Sequence, residues 1–172
     1  MSEETRKQSL RVAVDLEEQG HKYYAEQAEK ADNPLARSVL EALAAQEIEH
    51  RNKVLRLAEG HGLPRDYEDD GPDMEAAVRE VFESFSAEER EGWTTENTQV
   101  YEHAMELERK SYNLYEELAN SSSDEDEKAF FESLMREESM HLESIENVYY
   151  FLSSPGTWLS VDESNRWNWM NI

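Results

Sequence analysis

The sequence contains no cysteine, which removes disulfides, thiolate zinc sites, iron–sulfur clusters and thiol nucleophiles from consideration. Any metal must then be held by oxygen and nitrogen. Helix breakers are scarce, with six glycines and four prolines in 172 residues. Basic side chains are few as well, 17 against 40 acidic ones, leaving a net charge of −23. That charge repels phosphate backbones and anionic lipid surfaces, and no basic cluster reverses it locally. The expectation is no nucleic-acid partner and no membrane partner. No apolar run approaches the ~20 residues that cross a bilayer, and Met1-Ser2-Glu3-Glu4-Thr5 lacks the apolar stretch of a secretory signal. A cytoplasmic protein is expected.

What is present favours helix. Hydrophobic residues make up 38% of the chain and aromatics 10%, enough for one domain with a core despite the charge. Glu, Ala and Leu abound, and the sparse punctuation predicts four long helices, at about 10–31, 34–59, 95–120 and 124–152. Asn33-Pro34 reads as a cap followed by proline at the first helical position. Gly60 and Gly62 read as a stop, and Ser123 or Asp124 as the cap of the last helix. The short links make two antiparallel hairpins. The segment 60–94 is long enough to cross the bundle, and it carries a short amphipathic stretch with Met74, Ala77, Val78, Val81, Phe82 and Phe85. The expected domain is residues 1–152, an all-α four-helix bundle of two hairpins joined by a crossover containing a short helix, followed by an aromatic-rich tail, 153–172.

The hairpins look like copies of one another. Residues 10–57 laid over 101–148 at a constant offset of 91 share ten identities, among them Leu16/Leu107, Glu17/Glu108, Tyr24/Tyr115, Glu47/Glu138 and His50/His141. Helical periodicity sharpens the match. Leu40, Leu43, Glu47, His50, Val54 and Leu57 form one stripe, and Phe131, Leu134, Glu138, His141, Ile145 and Val148 form its counterpart. The first and third helices each contribute one more mid-stripe carboxylate, Glu17 and Glu108.

Glutamates in a core need compensation. Four carboxylates bring −4, two divalent cations bring +4, and two neutral imidazoles complete the ligand set, so the buried cluster would be neutral. The competing reading is pairwise Glu–His salt bridges without metal. A single Glu-x-x-His carries little weight in a chain with 31 glutamates, and Glu18/His21 is a third instance, at a rimward position. The weight lies in two copies, each with a Glu 33 residues before its His and 30 before its second Glu.

One Glu on each of two helices, with Glu-x-x-His on each of the other two, is the donor set of ferritin-like dimetal carboxylate bundles. The sequence resembles that superfamily, and most closely its rubrerythrin-like branch, over about residues 8–152. The resemblance rests on Asp15-Leu16-Glu17 with Tyr24, Glu47-Ile48-Glu49-His50, Glu106-Leu107-Glu108 with Tyr115, and Glu138-Ser139-Met140-His141. It implies a ferritin-like fold, metal ligands Glu17, Glu47, His50, Glu108, Glu138 and His141, and a cofactor of two iron ions, with manganese or zinc as alternatives. There are two departures. Rubrerythrins proper carry a cysteine-ligated rubredoxin iron centre, for which this chain has no ligands. They also place a further liganding Glu one turn after the third-helix Glu, where this sequence has Ser111. The first departure implies an external electron donor, such as a rubredoxin or flavoprotein. The second makes the set resemble bacterioferritin's oxidation site.

Tyr24 and Tyr115 are the candidate catalytic residues, as hydrogen-bond donors to ligands or as electron donors; the plainer reading is core tyrosines with satisfied hydroxyls. Gly20 and Ser111 leave room beside the ligands for O2 or peroxide, or else permit close helix packing. The leading expectation is a diiron oxidoreductase reducing hydrogen peroxide or O2, in a homodimer or larger homo-oligomer. The alternatives are a ferroxidase and iron-storage protein, and a bundle whose ions are structural and redox-silent.

Overall fold

A computed structural model describes residues 3–63, 74–86, 93 and 98–153. Five helices lie among them: α1 (Glu3–Lys30), α2 (Pro34–Ala58), α3 (Met74–Glu83), α4 (Thr98–Ser121) and α5 (Glu125–Ser153). No strand occurs among the described residues.

The helix ends follow local chemistry. The Asn33 side chain accepts from the Ala36 amide at 3.0 Å, with Pro34 opening α2. The Asp124 carboxylate accepts from the Asp126 and Glu127 amides, each at 3.0 Å, at the start of α5. Past α2, Gly60 and Gly62 both have φ of 78°, the left-handed region that glycine enters without strain. Helix α1 begins at Glu3, ahead of Leu10, where the apolar stripe starts. Its first turns are polar and draw support from acidic residues at the positive helix end, a Lys7–Glu3 pair at 2.8 Å, and Arg6, whose Nε donates to Glu127 on α5 at 2.9 Å. Apolar periodicity is blind to such turns.

Four helices form the bundle, and residue numbers across each contact run in opposite directions. Between α1 and α2, Glu18 meets Arg51 and His21 meets Ala44. Between α4 and α5, Tyr101 meets Tyr149 and Tyr115 meets Phe131. Tyr24 meets Glu108 and Glu17 meets Tyr115 across α1 and α4, while Glu47 meets His141 across α2 and α5. Every one of these neighbours is therefore antiparallel. Helix α3 packs on α2, and beyond it Phe85 meets the buried Trp93 edge-on, with ring centroids 5.0 Å apart. Of the expected crossover, 64–73, 87–92 and 94 lie outside the described residues, as does the tail from 154 onward.

The apolar core is in two parts. One contains Tyr24, Leu35, Leu43, Tyr101, Ala104, Ile145, Val148 and Leu152. The other contains Leu10, Ala13, Val54, Tyr115, Leu118, Phe130, Phe131 and Leu134. Between them, halfway along the bundle, lies a band of buried carboxylates and imidazoles. Among the described residues, no helix is long and apolar enough to cross a membrane.

Candidate metal centre

Each charged side chain in this band occupies a position its helix period turns inward. Glu17 on α1, Glu47 and His50 on α2, Glu108 on α4, and Glu138 and His141 on α5 are all 2% exposed or less. Such burial is rare for glutamate, and here there are four in one layer.

The contacts knit the four helices together. His50 turns Nδ1 toward Glu138 Oε1 at 3.1 Å and Glu17 Oε2 at 3.6 Å. His141 turns Nδ1 toward Glu108 Oε2 at 3.1 Å, Glu47 Oε1 at 3.3 Å and Glu138 Oε2 at 3.4 Å. The two imidazoles lie nearly parallel, 12° between planes and 5.2 Å between centroids. One ligand atom from each of Glu47, His50, Glu138 and His141 lies within 4.8 Å of the others. Glu17 and Glu108 complete the ring of carboxylates, each receiving a tyrosine hydroxyl: Tyr115 donates to Glu17, and Tyr24 to Glu108.

Protein groups do not satisfy this cluster. Glu17 Oε2, Glu47 Oε1 and Glu138 Oε2 are buried without a hydrogen-bond partner, a condition that costs about 1–3 kcal/mol per group and more for a charge. One Nδ1–H of His141 faces three carboxylates and can donate well to only one. The electrostatics tell the same story. Burial, then repulsion from Glu17, Glu108 and Glu138, pushes the Glu47 carboxyl well above its ordinary range. Burial raises Glu108 to about 8, with His141 pulling it partway back. Burial opposes charge on both imidazoles, yet the carboxylates outweigh it and hold His50 and His141 well above 6.5. For Glu138, burial is outweighed by His50 and His141, and its carboxyl is lowered. Without cations the band must retain protons to limit its charge. A pair of divalent cations removes that need, since hard carboxylate oxygens and borderline imidazole nitrogens are the donors such ions take. The residues present fit the metals.

The six residues expected as ligands therefore meet in one place, and both tyrosines border it. Burial, followed by the nearby carboxylates, raises both phenols far above 10, so each keeps its proton and acts as a donor. His21 stands apart, its Nδ1 spent on the Ala44 carbonyl at 2.8 Å. Gly20 does not border free space: a Cβ built there would lie 2.6 Å from Glu47 Oε2. The missing side chain makes room for the Glu47 carboxylate. One participant escaped the sequence reading. Glu137 accepts from His50 Nε2 at 2.6 Å and is lowered, because His50 and Lys53 outweigh its burial. Its signal was its place four residues before His141, on the buried face of α5.

The rubrerythrin family profile matches residues 8–149. The chain belongs to the rubrerythrin family. No curated protein and no solved structure gives a match. In a rubrerythrin-family bundle, this buried Glu/His cluster at mid-length is one that could hold a metal ion. The position at which rubrerythrins proper carry a further liganding Glu is Ser111 here, 4% exposed on the inner face of α4.

Proposed function

We propose that this rubrerythrin-family chain is a dimetal carboxylate oxidoreductase, loaded with two iron ions, that reduces hydrogen peroxide or O2 with electrons from an external donor. The observation that carries the reading is the set of three buried carboxylate oxygens without a hydrogen bond, on Glu17, Glu47 and Glu138, in a layer that also holds two imidazoles. Glu17, Glu47, His50, Glu108, Glu138 and His141 would hold the ions. When bound, a ferrous pair supplies two electrons, which with two protons take one peroxide to two waters.

The protein's own contribution is preorganisation. Helix-borne ligands from four elements hold the donor set in place, and the apolar clusters above and below exclude bulk water, which strengthens electrostatics within. Each Nδ1 faces the carboxylates, so His50 and His141 would serve as neutral ligands through that nitrogen, its proton released. Tyr24 and Tyr115 hold protons against Glu108 and Glu17, fixing one oxygen of each carboxylate, so that Glu108 and Glu17 would each have a second oxygen to offer an ion. This sequence has no cysteine to ligate a rubredoxin-type iron centre, which supports an external donor such as a rubredoxin or flavoprotein.

Anaerobic titration of metal-free protein with Fe(II), followed by peroxide, tests the reading. Two irons bound per chain, oxidised with one peroxide consumed per pair and reducible again by an added rubredoxin, is the expected result. Failure to bind iron, or binding without peroxide consumption, would sink it. The Ser111 position favours a second reading, iron oxidation and handling, since it leaves the four-Glu, two-His set alone. That reading requires iron uptake well beyond two per chain within a large closed assembly, measurable by light scattering.

A further inference from the structure

The two halves of the repeat do not support their histidines equally. His50 presents Nδ1 to the carboxylate layer, while Nε2, across the ring, lies 2.6 Å from Glu137 Oε2. That same oxygen lies 3.5 Å from Lys53 Nζ, and Glu137 and Lys53 are both largely buried, their side chains 10% and 14% exposed. An imidazole that gives Nδ1 to a cation keeps its remaining proton on Nε2, and Glu137 is placed to accept that proton. An offset of 91 residues carries Glu137 onto Gln46 and Lys53 onto Ser144. Gln46 and Ser144 are buried, at 8% and 6% exposed, and the Ser144 hydroxyl is given to its own helix at the Met140 carbonyl, 2.7 Å away. A buried charged pair thus stands where the other half has two neutral side chains.

A carboxylate accepting from the far nitrogen of a metal-binding histidine fixes its tautomer and ring orientation and raises its basicity toward the ion. A neutral amide at the repeat-related place supplies no such charge. We propose that Glu137, anchored by Lys53, is a positioning residue that makes the two cation positions unequal, so that the ion held through His50 binds first and more tightly than the ion held through His141. The proposal rests on the dimetal reading above. It concerns this chain's own departure from its internal repeat, at a site whose six inner ligands match in residue type between the two halves. It also gives Lys53 a function: that ammonium adds to His50 in compensating a carboxylate beside a layer already crowded with them.

Zinc is the probe, because it binds carboxylate and imidazole without redox change. Full-length metal-free protein is titrated with Zn(II) by calorimetry, while the histidine nitrogens are followed by NMR on 15N-histidine-labelled chain. The expected result is two resolved steps, the first equivalent shifting the His50 Nδ1 resonance and the second that of His141. In Glu137→Gln the first step weakens by roughly 10–100-fold, and the two resonances move together. Gln46→Glu strengthens the second step instead, and it keeps the question open to test should Glu137→Gln fold poorly. Equal weakening of both steps in Glu137→Gln, or His141 shifting first in the parent chain, would overturn the proposal while leaving the dimetal reading intact. Absence of any tight zinc or iron binding would overturn both.

Discussion

The Tyr24 hydroxyl donates to Glu108 on α4, not to Glu17 two turns away on its own helix, and the repeat-related bond from Tyr115 to Glu17 returns the arrangement. Each tyrosine thereby secures a carboxylate belonging to the other half of the repeat. Tyr24 sits in one apolar cluster and Tyr115 in the other, so the crossed bonds pin the carboxylate layer to the core from both sides. Two copies of a hairpin related in this way cannot slide along each other without breaking both bonds.

Tyr24→Phe removes the donor and leaves a Glu108 oxygen buried without its hydrogen. The cost to the metal-free protein should be about 1–3 kcal/mol, read as a lowered denaturation midpoint. With ions bound, Glu108 has a stronger partner, and the difference between parent and variant should shrink. Equal losses with and without metal would place the value of the tyrosine in packing alone.

Gly20→Ala should injure metal binding more than stability. Alanine improves helix propensity by about 0.8–1.0 kcal/mol, which offsets part of the strain from a Cβ set 2.6 Å from Glu47 Oε2. The carboxylate must swing away, and it is the carboxylate that would meet the ion. A tenfold or greater rise in the dissociation constant for zinc, with a denaturation midpoint close to the parent's, is the expected pair of results. Parent-like affinity would show that Glu47 is not held where a ligand must be.

Opposite signs are expected for Glu47→Gln. In the metal-free chain the substitution keeps the shape but replaces a carboxyl whose ionisation burial and three neighbouring carboxylates disfavour with a group that is neutral in the unfolded chain too, so stability should rise or hold. Loaded protein should lose stability, because one ligand is gone and binding energy is folding energy at such a site. Thermal melts with and without Zn(II) separate the two effects. Destabilisation of the metal-free form as large as that of the loaded form would argue that Glu47 serves only as an ion-pair partner of His141.

Much of this centre is legible in the residues because a helix projects its sequence onto a face at a fixed period. Glu17, Glu47, His50, Glu108, Glu138 and His141 interrupt apolar stripes, and stripes must face inward. Periodicity within a helix says nothing, however, about rotation between helices. That is why the crossed pairing of Tyr24 with Glu108 could be read only as proximity to some ligand. Gly20 is ambiguous for a related reason, since an absent side chain signals a close approach without naming what approaches. Glu137 lies on the right face but beside a stronger candidate, Glu138, in a chain rich in glutamate. The first turns of α1 are held by charge pairs and not by burial, so no apolar signal marks them.

The buried protons set a pH dependence for the metal-free form. Glu108 is raised to about 8 from an ordinary 4.5, so between those values the folded chain holds a proton that the unfolded chain has released. Glu47 is raised in the same direction, and His50 and His141 hold their protons above 6.5. Where the folded state binds more protons, raising the pH favours unfolding. Stability from these groups is therefore present near pH 5 and lost as the pH climbs toward 8. Glu137 and Glu138 are lowered and act oppositely, but their effect falls below about pH 4.5, outside this window. Denaturant midpoints measured in the presence of a chelator should fall from pH 5 to pH 8. The fall should be shallower in Glu108→Gln, which carries almost the same acidic surface and hence the same background repulsion. Saturating Zn(II) should reverse the trend, since ions displace those protons and bind better as the pH rises. An identical slope in the parent and in Glu108→Gln would mean that the carboxyl does not carry its proton into the folded state.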